Sequence, residues 1–232
     1  MKLPKIDAPI FEIKLVSVDK PVQYRPFTVK EEKILLVAEE GKDDKDILTA
    51  IKQVLNNCLV SKIDVNKLPL FDVEYFFLQL RSKSVSNVTT LKYRDKADNM
   101  VRDFEVDLDT IKPTIHPNHS KVVKITDNIT IEFKYPSIEM AMKVDRTSAN
   151  ADIDFMAECI DKIYEGDEVF FAENFNKEEK IEFITSLSTK MFDKIIKTFI
   201  DTVPTLAHTL EYTNNNGDQR KIVLEGYRSF FP

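Results

Sequence analysis

The side chains best suited to chemistry are three histidines, two cysteines and a scatter of carboxylates, and their spacing limits what they can do. His116-Pro117-Asn118-His119 places two imidazoles three residues apart. As metal ligands they would need carboxylate or thiolate partners brought in from elsewhere, because no CxxC or HExxH pattern accompanies them. Pro117 also disfavours a regular helix that would set both rings on one face, so a turn between strands is expected. Asp107-Leu108-Asp109 offers two carboxylates at i and i+2, a spacing that suits a divalent cation but is commonplace at a charged strand end. His208 has no nucleophile beside it, and neither Cys58 nor Cys159 lies near a histidine in sequence. Both cysteines fall in apolar helical contexts and read as reduced, buried thiols. There is no GxSxG elbow, no phosphate-cradling GxxxxGKS or GxxxxGKT, and no GxGxxG. With four glycines in 232 residues, glycine loops have little material to work with. The expectation is a protein without catalytic residues, cofactor or metal.

A different set of residues suits contact with another protein. Tyr24, Arg25 and Phe27 lie in the run YRPFTVKEEKI, where a strand end hands over to a helix start. Tyr and Arg are the residue types that anchor interfaces. Pro26 fixes φ and removes one ladder donor, so Arg25 projects an always-charged fork from a stiff corner, toward a carboxylate on its own helix or on a partner. Phe27 has the competing role of packing the hairpin onto the helix. Phe170-Phe171, inside Glu168-Val169-Phe170-Phe171-Ala172-Glu173, and Phe230-Phe231 near the C-terminus complete the candidate partner-binding residues. Phe170-Phe171 could equally cover the core between helices, and the terminal aromatics could dock on their own domain.

These residues must be positioned by regular elements. Alternating apolar and charged residues over 11–15 and 22–25 predict an N-terminal β-hairpin. Thr28 and Glu31 have capping-box spacing and open a first helix. A second helix is predicted over about 45–59. A third, over 70–80, is apolar enough to sit centrally among its neighbours. Strands follow at 88–93 and 101–106, joined by a polar turn at Asp98-Asn99, and at 122–125 and 129–134 around Asp127-Asn128. Helices are predicted near 137–143 and 151–164, with a pair over about 177–202 that begins at an Asn176/Glu179 capping box. A C-terminal hairpin pairs 206–213 with 220–224. Hairpins in place of βαβ units mean an α+β class, antiparallel β-hairpins packed with helical bundles. Three regions are expected, 1–86, 87–136 and 137–232, which could form one continuous domain.

The bulk numbers agree with an ordinary globular chain: 43% apolar, 31% charged, and 16 Phe in place of any Trp. A net charge of −6 works against nucleic-acid binding, which draws on clustered Lys and Arg. No apolar run reaches the ~20 residues of a membrane span.

The ordered segments MKLPKIDAP, YRPFTVKEEKILLVA, NKLPLFDVEYFFLQLRSKSV, FKYPS at 133–137, DFMAECIDKIYEGDEVF at 154–170, FDKIIKTFIDTVPTLAH at 192–208 and VLEGYRSFF at 223–231 run end to end. In this order the chain resembles the baseplate hub protein family of T-even-like contractile-tailed phages. The resemblance implies a non-enzymatic hub component or hub assembly factor acting through protein–protein contacts in a hetero-oligomeric complex. The implied partners are other tail hub proteins, the tape-measure protein among them. The implied location is the host cytoplasm during assembly and the virion baseplate if the chain is retained. The family defines no catalytic residues to carry over, and LKYRDKADNMVRDFEV in the middle β region has no cysteine with which to hold zinc. The alternative from another class is a hub-associated cell-wall hydrolase.

Overall fold

A computed structural model describes residues 6–143 and 150–230. The chain opens with β1 (Phe11–Ile13), β2 (Val22–Tyr24), α1 (Val29–Gly41), α2 (Asp44–Cys58), α3 (Leu70–Ser84), β3 (Val88–Arg94), β4 (Val101–Asp107) and β5 (Pro113–Thr114). It continues through β6 (Val122–Lys124), β7 (Ile129–Phe133), α4 (Ile138–Lys143), α5 (Ala151–Cys159), β8 (Ile160–Glu165), β9 (Glu168–Phe171), α6 (Lys177–Ser186) and α7 (Thr189–Thr198). It closes with the hairpin of β10 (Thr205–Thr213) and β11 (Gln219–Glu225) and a 3-10 turn, Tyr227–Phe230. The fold is α+β, with antiparallel pairing throughout the sheets.

Contacts divide the chain into two units, residues up to Thr114 together with those from Thr205 on, and residues 115–204. The central β region is thereby shared: β3, β4 and β5 belong to the first unit, β6 and β7 to the second.

The first unit is built around α3. Ten of its fifteen residues are buried, which requires neighbours on every side. Its first turn carries Asp72, 0% exposed, whose two carboxylate oxygens accept the N–H groups of Val16 and Ser17 at 2.8 Å each. That fixes the loop between β1 and β2 onto the helix start, where a negative charge also complements the helix dipole. β10 lies between β11 and β5 in a three-stranded sheet, and β3 pairs with β4 in a separate hairpin. The tips of the two long hairpins are tied together. Asp98 accepts the N–H of Asn215 at 2.9 Å and pairs with Arg102, and Asp95, 1% exposed, accepts the Tyr212 hydroxyl at 2.9 Å. Asn99, at φ 57°, makes the turn that aims both carboxylates.

The second unit is a four-stranded sheet, in the order β6-β7-β8-β9, with one face covered by helices. Val123, Ile131 and Phe133 meet Met156, Ile184, Ile195 and Phe199 in its core, where the Phe133 and Phe199 rings stack with centroids 4.8 Å apart. The helix expected over 151–164 stops at Cys159, and residues 160–165 are β8. The correction has a clear cause. Ile160, Ile163 and Tyr164 favour extended backbone, and pairing with both β7 and β9 satisfies their main chain better than another turn of helix would. Asn176 and Glu179 form a reciprocal capping box at α6, with N–H···O distances of 2.8 and 2.9 Å. Cys58 and Cys159 are buried thiols, one in each unit; burial pushes Cys58 up to about 11 and Cys159 up to about 12.

Candidate functional site

The strand-to-helix corner at residues 24–31 is held from within. β2 is flanked on its second side by the chain leaving α2: Arg25 N–H donates to Cys58 O at 2.9 Å, and Gln23 O accepts from Val60 N–H at 2.9 Å. Tyr24 is 2% exposed, its ring edge-on to Phe76 at 5.2 Å, and burial pushes its phenol up to about 12. It belongs to the core of its own unit. Arg25 finds its carboxylate on its own helix. Nη2 lies 3.0 Å from Glu31 Oε1 and donates to Asn57 O at 2.9 Å, while Nη1 donates to Pro26 O at 2.9 Å. Glu31 Oε2 also accepts the N–H of Thr28 at 2.8 Å, half of the α1 capping box. Burial alone would raise Glu31, but the hydrogen bonds from Arg25 and Thr28 outweigh it and hold the carboxyl at about 2.

This corner sets the pose of α1, and α1 is unusual. Of its thirteen residues only Glu31 is buried, although Ile34, Leu35, Leu36, Val37 and Ala38 are all apolar. At about 100° per residue, five consecutive apolar side chains sweep the whole circumference of a helix and cannot share one face. Leu36 is 52% and Val37 69% exposed. Leu36 lines a groove of about 640 Å³ between α1, α2, α3 and the C-terminal 3-10 turn. Phe27, Leu35, Leu36, Ile51, Phe77 and Tyr227 give it an apolar floor, and Glu32, Glu39, Lys42, Arg81 and Arg228 provide charge around it. Phe27, half-buried and anchored by its N–H to Ser84 Oγ at 2.9 Å, is the sequence-predicted residue that reaches this groove.

The remaining candidates lie elsewhere. Phe230 is 0% exposed inside the first unit, and Phe231 lies outside the described residues. Phe170 and Phe171 are on β9 of the second unit, not between helices. Phe170 is tilted against Phe175 with centroids 6.4 Å apart, and Phe171 is exposed.

The groups singled out for chemistry have structural partners. His119 has Thr202 Oγ1 at 2.8 Å from Nδ1 and the Tyr135 hydroxyl at 2.9 Å from Nε2, whereas His116 accepts the Asn118 N–H. Asp107 caps the 3-10 turn that follows β4, and Asp109 binds Ser82 and Lys83. Among the described residues no three His, Cys, Asp or Glu side chains converge to hold a metal ion, and no helix is long and apolar enough to cross a membrane.

The groove and the two-hairpin lock were not foreseen. The run ILLVA was the available signal for the groove, since its apolar content exceeds what a one-sided helix can bury. No curated protein and no solved structure matches the chain. A family model described as T4 bacteriophage base plate protein matches residues 8–232, nearly its whole length. A chain whose sequence fits that model over residues 8–232 belongs to the T4 bacteriophage base plate protein family.

Proposed function

We propose that this baseplate protein is a non-enzymatic component of the hub, or a factor that assembles the hub, and that it works through protein–protein contacts. The observation that carries this reading is the exposure of Leu36 on the wall of the apolar groove. An apolar, aromatic centre ringed by charges is the anatomy of a protein interface. The occupant is an amphipathic helix of a neighbouring hub or tape-measure protein, which lays its apolar face between α1 and α3.

The test is co-expression with the neighbouring tail proteins followed by sizing of the complex. Leu36→Asp abolishes co-purification and leaves the melting temperature of the isolated chain unchanged. Undiminished co-purification would overturn the assignment of the groove. Mass spectrometry of purified virions then separates the two roles, because a hub subunit persists in the particle and an assembly factor does not. Clearing on a peptidoglycan zymogram would contradict the non-enzymatic reading.

A further inference from the structure

β9 is the outer strand of its sheet, and its free edge can be read residue by residue. Glu165 and Glu168 stand opposite each other across Gly166-Asp167. Gly166 has φ 57°, and Asp167 is outside the left-handed region. A two-residue loop with glycine in first place and positive φ there alone is a type II′ turn. The pair flanking such a turn exchanges both N–H···O bonds, and bonded and non-bonded pairs then alternate along the hairpin. Glu165–Glu168 and Ile163–Phe170 are therefore bonded pairs, and Tyr164–Val169 and Lys162–Phe171 are not. The other side of β8 agrees, because Gly166 N–H donates to Asn128 O at 3.0 Å, directing the even-numbered residues toward β7. The main-chain N–H and C=O of Val169 and the N–H of Phe171 consequently point away from the sheet, while the Phe171 C=O opens the 3-10 turn Ala172–Asn174 that follows β9. Outside the regular elements no main-chain hydrogen bond among the described residues meets the N–H or C=O of Val169 or the N–H of Phe171.

The same two residues present apolar side chains on one face, Val169 43% and Phe171 45% exposed. Natural edge strands are commonly guarded by Lys, Pro or a bulge, and β9 has none of these. The surrounding charge has one sign. Between Lys162 and Lys177 the chain carries Glu165, Asp167, Glu168 and Glu173 and no Lys or Arg. None of these four carboxylates is ion-paired among the described residues, where the two flanking lysines bind Glu132, Asp161 and Asp154 instead.

We propose that β9 is a strand-addition site that takes an extended, basic segment of another baseplate chain, antiparallel to it, with apolar residues opposite Val169 and Phe171 and Lys or Arg between them. A second copy of this chain is the poorer occupant. Antiparallel self-pairing centred on Phe170 would set Asp167 against Glu173 at both ends, four carboxylates with no cation among them. The site lies in the second unit and stands independently of the groove in the first.

The register specifies the test. A labelled, acetylated and amidated heptapeptide alternating Lys and Val serves as the probe, titrated into the full chain by fluorescence anisotropy. Valines opposite Val169 and Phe171 turn their N–H groups toward β9, and the lysine N–H groups turn away. N-methylation of the valine amides therefore weakens binding at least about tenfold, and N-methylation of the lysine amides does not, each lost hydrogen bond removing roughly one power of ten. In the protein, Val169→Pro removes an N–H that its own sheet does not use and gives the same loss. Equal effects of the two methylation patterns would mean simple charge attraction and would overturn the proposal. So would an absence of binding by the unmodified peptide at millimolar concentration. The peptide comparison uses the unaltered chain, so it holds even if Val169→Pro destabilises the sheet. A dimer in sedimentation that is lost with Val169→Pro would assign the edge to self-association and overturn the heterotypic reading.

Discussion

Arg25 Nη2 and Glu31 Oε1 are 3.0 Å apart, with side chains 29% and 6% exposed, so the ion pair spans the seam between β2 and α1 from its solvent side to its interior. Removing the arginine leaves Glu31 with its Thr28 contacts and a carboxylate that burial penalises. Arg25→Ala is expected to cost about 2 kcal/mol in urea unfolding at neutral pH, the range for hydrogen bonds to charged groups. The pH dependence gives a sharper check. Glu31 is held at about 2 in the fold against an ordinary value of 4.5, so its stabilising effect is complete above 4.5 and disappears as pH falls toward 2. The gap in urea midpoint between the parent chain and Arg25→Ala should therefore close over that window. A gap that stays constant would show that Arg25 acts through packing alone.

Asp98 joins two hairpins that the chain separates by 117 residues. The hydrogen bond from Arg102, and then that from Asn215 N–H, hold its carboxyl below the usual range, and Arg102 also lies over the Tyr212 ring at 5.2 Å. Asp98→Ala removes the acceptor for the Asn215 amide and releases Arg102. Hydrogen exchange should quicken at Asn215 by roughly tenfold or more, while amides in α3 keep their protection, because opening of a hairpin tip is a local event. Uniform acceleration across the first unit would instead make the lock part of global stability.

This lock also shows where sequence reading runs out. The turn at Asp98-Asn99 was legible as a turn, and Asn214-Asn215-Asn216-Gly217-Asp218 as the tip of the C-terminal hairpin. No local pattern says that one turn accepts a hydrogen bond from the other, because periodicity and capping describe neighbours in sequence. Where the signal is local, the reading carried through: Thr28 and Glu31 do cap α1, Asn176 and Glu179 cap α6, and the predominantly apolar character of 70–80 places α3 at the centre of its unit. Cys159-Ile160 failed for the opposite reason. A helix-compatible run was claimed by strands on both sides of it, a tertiary effect that propensity cannot register. Tyr24 and Arg25 were correctly seen as a strand–helix corner, but whether such side chains face inward depends on what α2 and α3 bring to them.

His119 offers a test within the second unit. Thr202 Oγ1 gives its own proton to Thr198 O at 2.6 Å, so it accepts from His119 Nδ1–H, and Nε2 takes the Tyr135 hydroxyl proton. Burial, with Lys121 and His116 nearby, lowers the imidazole below its ordinary 6.5. The unfolded chain takes up a proton at 6.5 that the fold resists, so stability is full above that value and declines as pH drops below it. NMR titration of the ring should place its midpoint under 6.5, and His119→Gln should flatten the acid side of the stability profile. A midpoint at or above 6.5 would mean that the hydroxyl network does not keep the ring neutral.

Glu74 works in the reverse direction and sits next to the groove wall. Burial pushes its carboxyl up to about 7, opposed by a hydrogen bond from the backbone N–H of Tyr227, and Tyr227 lines the groove. Gly226, at φ 67°, makes this approach possible, because a Cβ there would lie 3.1 Å from Glu74 Oε1. The fold holds this proton more tightly than the unfolded chain does, so stability is highest below the ordinary 4.5 and falls as pH rises through 7. Each unit of displacement is worth about 1.4 kcal/mol, which puts the loss at roughly 3–4 kcal/mol at most. Glu74→Gln keeps an acceptor for Tyr227 and carries no charge. It should raise the melting temperature at pH 8 and match the parent chain at pH 4. If the two chains melt alike at both pH values, Glu74 is ionised without penalty and the turn that forms this side of the groove is insensitive to it.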